Sequence, residues 1–105
     1  MQVADQIQIV RNLVEKFYQD SLVWDYSMPP MNSEQGQHVI QIGTSILCTK
    51  WNVGYPGGSF VQAVVDNDLM AAVGRADATN IKMLPFYCKL IYNVDMPMEL
   101  AEAIK

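Results

Sequence analysis

The sequence predicts an all-α fold, a small single-domain bundle of about four to five helices, on three observations. Apolar residues recur at helical spacing through the first nineteen positions, and two later stretches join a capping residue to helical apolar stripes. The one segment that alternates like a strand has no second segment to pair with, and an unpaired strand cannot satisfy its backbone groups.

Val3, Ile7, Val10, Val14 and Phe17 step by four, three, four and three, with Gln6, Gln8, Arg11 and Lys16 off the seam. This predicts a helix over 3–19 whose narrow stripe could pair with a second copy through Val10. Residues 20–37 carry turn chemistry in Asp20, Ser21, Asp25, Pro29, Pro30, Asn32 and Gly36, interleaved with Trp24, Tyr26 and Met28. So long a loop is either ordered by packing, with Trp24 and Tyr26 folded back over the core, or functional, with those two rings as a partner surface.

Residues 38–51 fit either period. Ile40, Ile42, Ile46 and Cys48 alternate, whereas Val39, Ile42, Ile46 and Leu47 share a helical face, and Gly43, Thr44 and Ser45 disfavour a long helix. The lack of a pairing partner favours helix; the alternative is a strand that pairs across a dimer interface. Three glycines and a proline make 52–58 a tight turn. Ser59 then caps a helix running to about Val73, and Asp77 caps another from Ala78 to Asn93, which Pro85 should kink. Asp95 and Pro97 restart a short terminal helix carrying Leu100 and Ile104.

Composition excludes whole classes. Half of the 105 residues are apolar and 17% are charged, enough for a compact core and unlike a disordered chain. A net charge of −4 provides no basic patch for a phosphate backbone, so no nucleic-acid partner is expected. No apolar run reaches the roughly 18 residues of a membrane span, and charges interrupt the first apolar stretch, so neither a membrane anchor nor a signal peptide is expected. Cys48 and Cys88 fall short of a disulfide framework or a zinc site and read as buried thiols. The expected setting is cytoplasmic, with no metal and no cofactor. His38 is the only histidine, and no nucleophile stands at a telling spacing from it, so no catalytic residue is proposed and an enzyme is not expected.

The run PGGSFVQAVVDNDLMAAVGRADATN, followed by a helix carrying Tyr87 and Tyr92, resembles a family of small proteins encoded by phages, prophages and other mobile elements. The matching positions are Pro56, Gly57, Phe60, Ala63, Val64, Val65, Asn67, Asp68, Leu69, Gly74, Arg75, Ala76, Asp77, Asn80 and Tyr92. Pro85 and the absence of a Cys-Trp-Gly-Ser tail after Pro97 depart from the family pattern. The resemblance implies a mobile-element context and no particular reaction.

Candidate chemistry centres on the 59–77 run. At about 100° per residue with Phe60 as origin, Val64 falls at about 40°, Arg75 at about 60°, Asp68 at about 80° and Val61 at about 100°. Two opposite charges are thereby predicted on the apolar face, where each would need a partner. Either they pair with each other, or Arg75 clamps a small anionic ligand or nucleotide, oriented by Asn67 and Asp68. In that second reading the turn of Tyr55, Gly57, Gly58 and Ser59 adds backbone donors, with Asp77 and Asn80 nearby. The functional expectation is a non-enzymatic binding protein acting on a macromolecular partner as a homo-oligomer. Ligand sequestration is the alternative.

Overall fold

The computed structural model describes residues 1–104, and its helices begin and end where local chemistry stops a backbone ladder. They are α1 (Val3–Leu22), α2 (Glu34–Trp51), α3 (Ser59–Val65), α4 (Leu69–Arg75), α5 (Ala78–Asn93) and α6 (Met98–Ala103). No strand occurs among the described residues. The all-α expectation holds, with six helices instead of four to five because the 59–75 run is broken in two.

α1 outruns its expected end by a turn, and Ser21 Oγ donates to the Phe17 carbonyl at 2.7 Å within that turn. α2 resolves the ambiguity of 38–51: the whole segment is helical and starts earlier, at Glu34. Ser33 caps it, its Oγ accepting from Gly36 N at 3.0 Å and donating to the Pro30 carbonyl at 2.6 Å. Asn52, at φ 59°, ends it: Val53 N donates to Cys48 O and Asn52 N to Thr49 O, a Schellman closure.

α2 is the central helix, with Val39, Ile40, Gly43, Ile46, Leu47, Cys48 and Trp51 all buried. Each large aliphatic side chain removed from water there contributes roughly 1.5–3 kcal/mol. α1 packs on one side of it, α3 and α5 on others, and α4 folds onto α3. Aromatic rings tie the outer helices together: Phe86 of α5 stands 5.6 Å from Phe17 and 5.4 Å from Tyr18 of α1. Tyr87 lies 5.9 Å from Phe60 of α3. Leu100 of α6 is fully buried and completes the core.

α5 has the expected limits and runs through Pro85 as one helix. Proline leaves the Ile81 carbonyl without its helical donor. Both residues are on the exposed side, where water can serve instead. The loop 23–33 is anchored by buried Met28 and by the Tyr18 hydroxyl, which donates to the Pro29 carbonyl.

Two glycines of α2 separate tight packing from obstruction. A Cβ on Gly43 would stand 3.0 Å from Val14 Cγ1 and 3.1 Å from Leu90 Cδ2, side chains rather than backbone but both fully buried. A Cβ on Gly36 would overlap the Pro30 carbonyl and come within 2.9 Å of the Met31 carbonyl, which are backbone. Gly43→Ala should therefore cost about 1 kcal/mol, the overpacking of fully buried Val14 and Leu90 exceeding the roughly 1 kcal/mol gained in helix propensity. Gly36→Ala should cost at least about 2 kcal/mol by dislodging the loop. Thermal melts of the two variants check the order.

Candidate functional site

The predicted buried pair of Asp68 and Arg75 does not exist, because the helix assumed to carry both is interrupted. Asn67 takes the left-handed conformation at φ 58°, Asp68 N donates to Ala63 O at 2.9 Å and Asn67 N to Val64 O at 3.1 Å. This is a second Schellman closure, and it reorients the chain between α3 and α4. Asp68 is exposed and caps α4, its Oδ1 accepting from Ala71 N at 3.1 Å. Arg75 lies at the other end of α4, about 10 Å away by helical rise. It is also exposed, and its Nη1 donates to the Ser59 carbonyl at 3.4 Å. Asn67 and Asp68 thus form no joint pocket with Arg75.

The glycine turn is likewise occupied by its own fold. Gly58, not Ser59, is the N-cap of α3, and it makes no side-chain cap. Gly57 N donates to Thr49 Oγ1 at 2.8 Å, and the Gly57 carbonyl accepts from Gln62 Nε2 at 2.7 Å. A donor needed for an anion is therefore already taken. Trp51 packs inward beside the turn while Tyr55, 93% exposed, stands free of it.

Asp77 caps α5 as expected, accepting from Asn80 N at 2.7 Å. Asn80 is buried, and its Oδ1 accepts from the Tyr87 hydroxyl at 2.8 Å. Burial, with help from the Asp77 and Tyr18 charges, pushes the Tyr87 phenol well above its ordinary value. His38 of α2 faces Asp77, Nε2 to Oδ2 at 3.5 Å, too long for a good hydrogen bond. These residues join α2 to α5, and His38 and Asp77 line an open polar depression of about 340 Å³ with Glu34, Gln35 and Thr79.

The expectations for Val10 and Cys88 are revised, and of the two readings of Trp24 and Tyr26 the folded-back one is excluded. Val10 is fully buried, so the α1 stripe packs within the chain and offers no seam there to a second copy. Trp24 and Tyr26 are 87% and 92% exposed; Met28 covers the core in their place. Cys48 is buried and its thiol is pushed up to about 11, whereas Cys88 is exposed.

Two surfaces with apolar linings remain. On the first, α4 exposes Leu69, Met70 and Val73, which fall within about 100° of one another around the helix. A shallow depression of about 40 Å³ joins Leu69 and Ala72 to Leu84 and Cys88 of α5, and Ile81 is exposed one turn earlier on the same α5 stripe. The second is a cleft of about 590 Å³ between the end of α1, the following loop and α5. Phe17, Met28 and Phe86 line it along with Trp24, and Asp20, Asp25 and Lys89 bring charge to it. Sequence reasoning marked Trp24 but did not mark Asp20, Lys89 and Asn93 as site residues, because Asp20 lies some seventy positions from the other two and meets them only through the α1–α5 packing. Among the described residues no three His, Cys, Asp or Glu side chains gather as a metal site. No described helix is long and apolar enough to cross a membrane.

Separate roles for Asp68 and Arg75 have a direct check. Asp68→Ala should lose about 1 kcal/mol, a helix cap, and Arg75→Gln less than about 0.5 kcal/mol. The double variant should equal their sum within about 0.5 kcal/mol in denaturant titrations. For the thiols, Cys88 should react with an aromatic disulfide reagent at neutral pH in the folded single chain and Cys48 only on unfolding. Because folding also holds the Tyr87 and Tyr18 phenol protons more tightly, stability should fall as pH rises above about 10, where the unfolded chain loses them first.

No family model, curated protein or solved structure matches the chain, so a functional reading has to rest on these two surfaces.

Proposed function

We propose that this protein is a non-enzymatic binding protein of a mobile genetic element, acting on a macromolecular partner as a homo-oligomer assembled through the α4–α5 face. The observation that carries the reading is the outward apolar side of α4. Leu69, Met70 and Val73 are exposed together on one helix face, with Met70 87% exposed, and the exposed Ile81 of α5 stands on the adjoining stripe. Contiguous exposed apolar side chains rimmed by polar groups mark association surfaces. Here the rim is supplied by Asp66, Asn67, Asp68 and Arg75, all exposed.

A two-fold contact needs only one self-complementary patch, which makes a second copy the simplest occupant. Methionine suits such a patch because its flexible thioether adapts to an opposing surface. A domain of this size also has a modest core, so burying the patch would add stability it can use. The mobile-element context is supported by the resemblance of the Trp51–Tyr92 run, whose Asn67–Asp68–Leu69 segment builds the turn that presents α4.

Light scattering on the wild type and on a Met70→Glu, Val73→Glu double variant tests the assembly. The wild type should have a dimer mass or larger and the variant a monomer mass, with equal helicity by circular dichroism. Both positions are exposed, so the fold should tolerate the change. A monomeric wild type, or a variant of unchanged mass, overturns the proposed interface.

A further inference from the structure

The cleft between α1, its following loop and α5 has a negative electrostatic character that its apolar walls do not hide. Asp20 sits in the last turn of α1, where no basic residue is present. That end of a helix already carries negative partial charge, so a carboxylate there is locally unfavourable. The last turn of α5 also lacks a basic side chain and contributes Asn93 to the same cleft. Asn93 Nδ2 donates to the Lys89 carbonyl, which leaves its side-chain oxygen as an acceptor. Asp25 adds a second carboxylate, with Oδ1 accepting from the Ser27 amide at 3.0 Å and the Ser27 hydroxyl at 2.6 Å.

Positive charge is sparser. Lys89 is the only basic residue lining the cleft. Lys50 donates to the Ile91 carbonyl at 3.4 Å but lies outside the lining. Lys82, outside the lining, also lies near enough to favour the Asp25 carboxylate, so two carboxylates and two helix C-termini are set against one ammonium within the cleft and a second beside it.

The walls and floor are aromatic and apolar: Trp24 and Pro85 at the rim, Phe17, Met28 and Phe86 below. Aromatic faces beside carboxylates attract a cation twice, through the ring quadrupole and through direct charge, and favour weakly hydrated cations with apolar substituents. A small metal ion is too strongly hydrated to exchange its water for ring faces, and an anion would meet the carboxylates. The volume of about 590 Å³ lies in the range of small-molecule sites.

We propose that this cleft binds an organic cation, an alkylammonium or guanidinium group on an apolar body. The cationic head lies toward Asp20 and Asp25 and the body against Phe17, Met28 and Phe86. Trp24 closes over it from the loop, and Lys89 sets an upper limit on affinity by competing for the carboxylates. The site is independent of the α4–α5 face.

Benzyltrimethylammonium, titrated by calorimetry and by tryptophan fluorescence, is the probe, and phenylacetate is the anionic control of similar shape. Nα-acetylarginine amide tests the guanidinium source, as a basic side chain of a polypeptide would present it. Saturable binding of either cation, with a change in Trp24 emission, is expected; the tighter of the two identifies the source. Asp20→Asn should weaken binding roughly threefold to fivefold, as for loss of one exposed ion pair. Lys89→Gln should tighten it by a similar factor, a gain that misfolding cannot produce. No saturable binding of either cation, equal binding of phenylacetate, or weaker binding by Lys89→Gln overturns the proposal.

Discussion

Three helices meet at Gly43, and the rest of the structure depends on that approach. Val14 of α1 and Leu90 of α5 both come so close to the Gly43 Cα that an added methyl would stand about 3 Å from each. With α2 held between them, α1 and α5 are drawn together beyond it, and their aromatic side chains fill the space: Phe17 and Tyr18 from one, Phe86 from the other. The cleft lies where this aromatic contact stops, so its floor shares Phe17 and Phe86 with the core. Its walls are therefore placed by core packing, which favours a preformed site.

The same glycine shows why part of the fold was hard to read. In sequence, Gly43 beside Thr44 and Ser45 weakens a helix, and its neighbours alternate as in a strand. In the folded chain Gly43 is what allows the helix to be central, and Thr44 satisfies its hydroxyl by donating to Ile40 O at 2.7 Å. Local propensity was overridden by tertiary contacts that lie far away in sequence. By contrast, α5 was legible to its ends, because Asp77 supplies a cap that no distant contact has to confirm.

The candidate site was less legible, for a geometric reason. A helical wheel presumes an unbroken helix, and Asp66–Asn67–Asp68 breaks it: asparagine tolerates the left-handed conformation and the following aspartate caps the next helix. That signal was present in the residues, since Asn52 ends α2 by the same closure. Only the continuing apolar period concealed it. The stripe through Val10 was misread for a different reason. Periodicity reports that a face is buried, and it is silent on whether the covering surface belongs to the same chain or to another.

Where a small domain breaks its own local rules, the pattern of the exceptions carries information. An acidic side chain at the negative end of α1 and an exposed tryptophan are both poor choices for stability alone. So is an α4 that turns leucine, methionine and valine toward water. These exceptions fall into two groups: Asp20 and Trp24 share the cleft, while Leu69, Met70 and Val73 share one helix face. Much of the rest is consistent, with α2, α4 and α5 capped by side chains, a contiguous core and buried hydroxyls that find acceptors. A fold with a modest core can hold such costs only where something offsets them. For the α4 face, association removes apolar surface from water; for the cleft, a bound cation neutralises charge that the helix end disfavours. In both places the local defect in the isolated chain defines the chemistry of what would bind there.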